Sequence, residues 1–279
     1  MAITNFIPTV WSENLYNTLN KKYIAVANCT REWEGDIKQC GDRVKIVGLD
    51  PVSVFNYNKN TDLPAPVALS DNARELLINQ AKAFNFQIDD IDKAQAKPHL
   101  MNTAIRHAAD ALANEADRHV YSLYNASDIK NRVQLVEKTD EEIVDGIIGA
   151  ILQMQSNGVS EELILEVSPN VAGHLYKAKL GLLSDNTSLF ESGCIGAIAG
   201  CKVFVSPNVH SVKSEGADSY NRYNYCFLRT KRSIAFAEQL SEIEAYRPEN
   251  RFADAVKGLH LYGAKIVRPE EIYVMKTKK

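Results

Sequence analysis

The chain has 279 residues, 45% apolar and 24% charged, and its 32 Lys and Arg against 35 Asp and Glu leave a formal charge of −3. That is enough chain for one large or two ordinary domains with a sizeable core, and the near-neutral balance excludes wholesale disorder and an all-over basic surface for nucleic acid or anionic lipid. The first residues lack the basic start and apolar run of a secretory signal, no apolar stretch approaches the ~18 residues of a membrane helix, and five cysteines at irregular spacing make no disulfide framework. The expectation is a cytosolic protein with reduced, mostly packed thiols.

Residues 8–28 read as an amphipathic helix: Pro8 suits a first turn, and Trp11, Leu15, Leu19 and Tyr23 or Val26 recur at helical spacing. Its apolar face is expected to meet something outside its own domain. Over 43–47, Val44 and Ile46 alternate with polar residues, and Phe84, Phe86 and Ile88 alternate in the same way further on. These read as the two legs of one hairpin. Between them, 48–71 carries Pro51, Asn56, Asn58, Asn60, Pro64 and Pro66. A connection of about 20 residues without regular structure is uncommon in a compact domain unless it reaches out to bind, so the segment reads as an arm.

Asp89-Asp90-Ile91-Asp92 opens a short helix, and Pro98 opens a long one to about Asn125, with Met101, Ile105, Ala108, Leu112, Ala116, Val120 and Leu123 near one stripe. At ~1.5 Å per residue it spans about 40 Å, and its many alanines allow neighbours to approach closely, as in a structural spine. After a polar link, the capping-box pattern Thr139-x-x-Glu142 starts a helix with the stripe Ile143, Ile147, Ile148, Ile151 and Leu152, ended by Asn157-Gly158. A short apolar strand at 163–167 follows, then Ser168-Pro169 as N-cap and first-turn proline of a helix over 171–180. The pentapeptide Val-Ser-Pro-Asn-Val stands at 167–171 and again at 205–209, each time after an apolar strand, and reads as two similar strand exits. Residues 211–221 read as a polar loop, and 223–228, 234–236, 243–246 and 252–267 as strands.

Signatures of chemistry are missing. The six histidines contain no His-x3-His pair, and Glu115 with His119, four apart on the spine, reads as an ordinary surface pair without a third ligand. Asp89, Asp90 and Asp92 suit helix capping and the helix dipole rather than magnesium. Gly193, Gly196, Gly200 and Lys202 fail as a phosphate loop, because Cys201 separates the last glycine from the lysine and Val203 stands where Ser or Thr is required. No G-x-G-x-x-G, G-x-S-x-G, C-x-x-C or H-E-x-x-H occurs. The expectation is a protein that is not an enzyme, with no catalytic residue, cofactor or metal. The basic clusters Lys21-Lys22, Arg229 to Arg232 and Lys276 to Lys279 are small and scattered, as solvated ends are.

The order of elements and four stretches together carry a resemblance. The stretches are Ile7-Pro8-x-x-Trp11-Ser12; Tyr23 followed by Arg31-Glu32-Trp33-Glu34-Gly35-Asp36-Ile37-Lys38-Gln39-x-Gly41-Asp42-x-Val44-Lys45-Ile46; Asn79-Gln80-Ala81-Lys82-x-Phe84-Asn85-Phe86-x-Ile88-Asp89-Asp90; and Tyr262-Gly263-Ala264-Lys265-x-Val267-Arg268-Pro269-Glu270. With them the chain resembles the major capsid (coat) proteins of tailed bacteriophages, whose fold is shared with herpesvirus shells and bacterial nanocompartments. The resemblance implies an α+β capsid fold with an N-arm (1–41), an extended β-hairpin loop (42–88), a peripheral domain with a long spine helix (89–130 and 233–279) and an axial domain (131–232). The long charged N-terminal helix that some relatives use as a built-in scaffold is absent from this sequence.

Function follows from the resemblance as an expectation. The chain would self-assemble into hexamers and pentamers of an icosahedral shell around double-stranded DNA, built in the cytoplasm of a bacterial host and kept in the virion. Its partners would be further copies of itself, scaffolding, portal and decoration proteins, and DNA held weakly and without sequence preference, with no membrane. Inter-subunit contacts are expected at Trp11 and Leu15 of the N-arm and at Phe55, Tyr57 and Lys59 of the loop. Arg106 and Arg118 of the spine are candidates for inner-surface contact with DNA, against the plainer reading that each only solvates or pairs with Asp110 or Glu115. Some relatives cross-link a loop lysine to a peripheral asparagine; only Lys59 and Asn250 stand at such placements, and a lysine in a polar loop is ordinarily just solvated. A nanocompartment shell enclosing an enzyme is the second reading, and an α/β enzyme with an unrecognised site the third.

Overall fold

The computed structural model describes residues 8–33, 43–49, 59, 71–89, 100–178, 194–213, 222–240 and 243–279. The expected helix at 89–92 and the arm beyond 49 lie largely outside them. The N-terminal helix, α1 (Pro8–Lys22), is shorter than its apolar spacing predicts, since the chain turns at Tyr23 and makes one 3-10 turn at Val26–Asn28. Lys21 and Lys22 close its last turn, where positive charge suits the helix dipole.

Strands β1 (Arg43–Leu49) and β2 (Asp71–Leu77) form an antiparallel hairpin in which Val44 faces Leu76 and Ile46 faces Arg74. The hairpin exists, but its second leg is not the expected Phe84–Ile88 alternation. That stretch belongs to β3 (Gln80–Asp89), which pairs with β12 (Ala253–Ile266). The reading failed because 71–77, Asp-Asn-Ala-Arg-Glu-Leu-Leu, has no alternation and is rich in helix formers; cross-strand pairing overrides its local preference. β12 is the centre of a four-stranded sheet, with β3 along one edge and, end to end along the other, β10 (Ile234–Leu240) and β11 (Glu244–Tyr246).

The second sheet has seven strands. Its main path runs β4 (Arg132–Leu135), β13 (Ile272–Lys278), β9 (Arg222–Thr230), β5 (Leu163–Val167), β7 (Cys201–Val205), β6 (Cys194–Ile198), and β8 (Ser211–Lys213) pairs with β9. All five residues of β5 are buried, as in a strand covered on both faces. The two Val-Ser-Pro-Asn-Val copies leave neighbouring parallel strands at the same level: Val167 is in register with Val205, and the Ser206 N–H donates to the Val167 carbonyl at 3.0 Å. They then diverge. Ser168 caps α4 (Pro169–Lys177), whereas the Ser206 hydroxyl accepts from the Asn208 N–H and the chain goes on to β8. The last strand, β13, sits in this sheet and not with the strands of 233–267, so the C-terminal residues are shared out differently from the expected peripheral segment.

The spine is α2 (Leu100–Ser122), about 35 Å long at ~1.5 Å per residue. Its buried stripe is Ile105, Ala109, Leu112, Ala113, Ala116, Val120 and Tyr121; Ile105, Leu112, Ala116 and Val120 are buried as expected, while Ala108 is only half-buried and its neighbour Ala109 takes the buried position. α3 (Asp140–Ser156) starts with the full capping box between Thr139 and Glu142 and buries Ile143, Val144, Ile147, Ala150, Ile151 and Met154. Leu152, assigned to its apolar stripe by spacing, is 54% exposed. One large core joins α1, α2, α3, α4 and the inner faces of both sheets. Among the described residues no helix is long and apolar enough to cross a membrane.

Candidate functional site

Two buried polar nodes and one small second core fix how the turn after α1 and the hairpin sit on the two sheets. In the first node, Arg229 of β9 grips Glu166 of β5 through Nε (3.0 Å) and Nη2 (2.9 Å), with both side chains fully buried. The guanidinium also donates to the Asn28 and Ala25 carbonyls at 2.6 and 2.9 Å, and Asn28 Nδ2 donates to Glu166. From the other side Asp117 of α2 accepts the N–H groups of Ile24 and Val26 at 3.1 and 3.0 Å. The turn after α1 therefore has its donors held by the spine and its carbonyls by the seven-stranded sheet. This also explains why α1 stops early: the N–H groups that would continue it bond to Asp117 instead.

Charge follows geometry here. Burial works against the Arg229 charge, but Glu166 outweighs it and holds the guanidinium protonated beyond the ordinary arginine. Asp117 has no cation of its own, so burial, with the Glu166 charge adding to it, pushes its carboxyl up to about 7 against the pull of the backbone N–H groups. The folded protein thus holds a proton on Asp117 that the unfolded chain has released above pH ~4, and stability should fall as pH rises from about 4 to 7. Thermal melts at pH 5 and pH 8 should show the wild type losing ground to Asp117→Asn at the higher pH; a constant difference would show that Asp117 does not titrate there.

The second node ties the same segment to the four-stranded sheet. Glu238 of β10 accepts from the Tyr23 hydroxyl and the Arg31 guanidinium, and His260 Nε2 of β12 lies 2.8 Å from it. Burial alone would raise Glu238, but the His260 hydrogen bond and the Arg31 charge hold its carboxyl below the usual range. Thr30 adds a single parallel bridge to Ala235 beside this node. On the other face of the sheet, Val44, Ile46, Leu76 and Ile78 pack on Ala235, Ala237 and Leu261, with Trp33 and Val267 at the margin. This small core seats the hairpin on the outside of the sheet, away from the main core.

No protein-family model matches the sequence, and no curated protein matches it significantly. Solved structures do. A structure from Mycobacterium phage Che8 is 24% identical over 91% of this chain and 90% of that one, with a TM-score of 0.65. The mature capsid of bacteriophage PhiM1 matches at 16% identity, over 91% and 87%, with a TM-score of 0.63. The chain has the tailed-phage capsid fold. A virus-like particle from Pyrococcus furiosus has the same fold at 15% identity, covering 96% of this chain and 98% of that one, with a TM-score of 0.58.

Within this capsid fold the residues singled out from the sequence scatter. Leu15 is 0% exposed, packed in the main core, so the expectation that it reaches a neighbouring subunit is corrected: its helix face is covered by its own spine. Trp11 lies in α1, but its side chain, like Phe55 and Tyr57, is outside the described residues. Lys59 is an exposed turn residue and Asn250 is exposed in the turn between β11 and β12. Arg106 and Arg118 are both exposed on α2, and Arg118 pairs with Glu115 at 2.8 Å, as its plainer reading expects. Asp110 pairs instead with Lys22 of α1, and Glu115 also takes Lys82 of β3. His119 packs edge-on against Tyr262. The four described cysteines are buried, and burial pushes the Cys29 and Cys226 thiols up to about 11. Sequence reasoning passed over Glu166 and Asp117 as site residues, and the expectation that Arg229 belongs to a solvated basic cluster is corrected: it is fully buried against Glu166. The available signal was an acid inside the apolar strand Leu163–Val167, which needs a partner if both faces are covered.

Proposed function

We propose that this chain is the major capsid protein of a tailed bacteriophage, a structural subunit that assembles through hexamers and pentamers into an icosahedral shell around double-stranded DNA. The observation that carries this is the match of 91% of the chain to the mature capsid of bacteriophage PhiM1, with an equal share matched to a structure from Mycobacterium phage Che8. The four sequence stretches that resemble coat proteins support it independently. The role is structural rather than catalytic. Scaffolding, portal and decoration proteins would be its partners, with assembly in the host cytoplasm and residence in the virion.

Electron microscopy and sedimentation of the purified protein decide the matter. Capsomers or closed shells are expected; a ~31 kDa monomer at every concentration and salt condition would defeat the proposal. The virus-like particle match supports a second reading, a compartment shell. Shells purified from the native source would then hold a protein cargo and no packaged genome.

A further inference from the structure

The hairpin and the four-stranded sheet touch backbone to backbone at one point. Gly263 of β12 lies under the end of β2, where a Cβ would stand 2.3 Å from the Leu77 carbonyl oxygen, 3.0 Å from its carbon and 3.2 Å from the Ile78 Cα. No rotamer change relieves such a contact, because the atoms met are main chain. Beside it the sheet presents Ala235 and Ala237, small residues that let the hairpin lie close, while Arg74 Nη1 donates to the Ile266 carbonyl at 3.1 Å. Val44, Ile46, Leu76 and Ile78 then fill the seat. The seat is separate from the main core, which uses the alternate residues Ile234, Phe236, Tyr262 and Ile266 of the same two strands.

We infer that Gly263 is a positioning residue that sets the direction in which the hairpin arm leaves the subunit, and through it the fit of the arm to a neighbouring copy. The inference rests on the shell-subunit reading. A side chain at 263 lifts the end of β2 off the sheet, and the displacement of about 0.7 Å or more needed to take the 2.3 Å contact to 3.0 Å grows along a paired hairpin roughly 20 Å long. The main core keeps its contacts, so the subunit folds with its arm mis-aimed.

The test compares Gly263→Ala with Gly149→Ala, a helix position where a Cβ meets nothing within 4 Å. Folding is read by circular dichroism and thermal melting, and the seat by Trp33 emission in a Trp11→Phe background, since the chain has two tryptophans and Trp33 packs against the seat. Assembly is read by sedimentation and electron microscopy in the unaltered background. Gly263→Ala should keep a cooperative melt, shift Trp33 emission to the red and lower the assembled fraction at least tenfold or change shell diameter, with Gly149→Ala like wild type. Wild-type yield and diameter in Gly263→Ala overturn the inference. If Gly263→Ala does not fold, Ile46→Ala loosens the same seat from the arm side: folded subunits with impaired assembly uphold the inference, and normal assembly ends it. Wild type that never assembles defeats the shell reading instead, while the Trp33 shift still reads the seat.

Discussion

Arg229→Ala should lower the free energy of unfolding by about 3–5 kcal/mol, the usual cost of removing one partner from a buried ion pair. The mechanism is what remains behind. Glu166 is fully buried and would be left with only Asn28 Nδ2 as donor, the Asn28 carbonyl would lose the guanidinium, and the Ala25 carbonyl would keep only the Asn28 N–H and the Cys29 thiol. Chemical denaturation followed by far-UV circular dichroism measures the loss. The double variant Arg229→Met with Glu166→Leu removes both charges and should recover part of it, because two apolar side chains leave no uncompensated ion. A single variant within about 1 kcal/mol of wild type would show that the pair is dispensable.

Ala109→Glu should be nearly as damaging, about 3–5 kcal/mol, while Ala111→Glu two residues along stays within about 0.5 kcal/mol of wild type. Ala109 is 0% exposed in the buried stripe of the spine, so a glutamate there must both overfill a packed site and desolvate a carboxylate without a partner. Ala111 faces solvent on the same helix. Equal melting temperatures for the two variants would mean that the buried face of the spine lies elsewhere.

Local signals were legible in the sequence where a short pattern determines a short structure. Thr139 and Glu142 close their capping box, Ser168 and Pro169 start α4, and Asn157-Gly158 ends α3 with Gly158 in the left-handed region at φ 82°. The duplicated pentapeptide marks two adjacent strand exits. What failed depended on partners distant in the chain. Phe84, Phe86 and Ile88 alternate as a strand should, but nothing local says that the partner is 253–262 and not 43–49. The spine stripe was placed one residue off at Ala108, because alanines on several faces blur the period. Leu15 was correctly apolar and wrongly directed outward, since only the fold reveals that α2 covers it. The Arg229, Glu166 and Asp117 node draws on residues up to 204 positions apart, and apart from Glu166 inside an apolar strand no local pattern marks its charged residues as buried.

The position of β13 imposes an order in time on the making of each subunit. It lies between β4 and β9, and among the described residues β4 pairs with no other strand. While the chain is still being synthesised, β4 and the tyrosine-rich edge of β9 must wait unpaired for residues 272–278 to emerge. Thr230 and Arg232 wait as well for Glu271, the carboxylate that both of them bond. The sheet therefore closes only once residues 272–278 have been made, well after the strands at 132–135 and 222–230 that flank them.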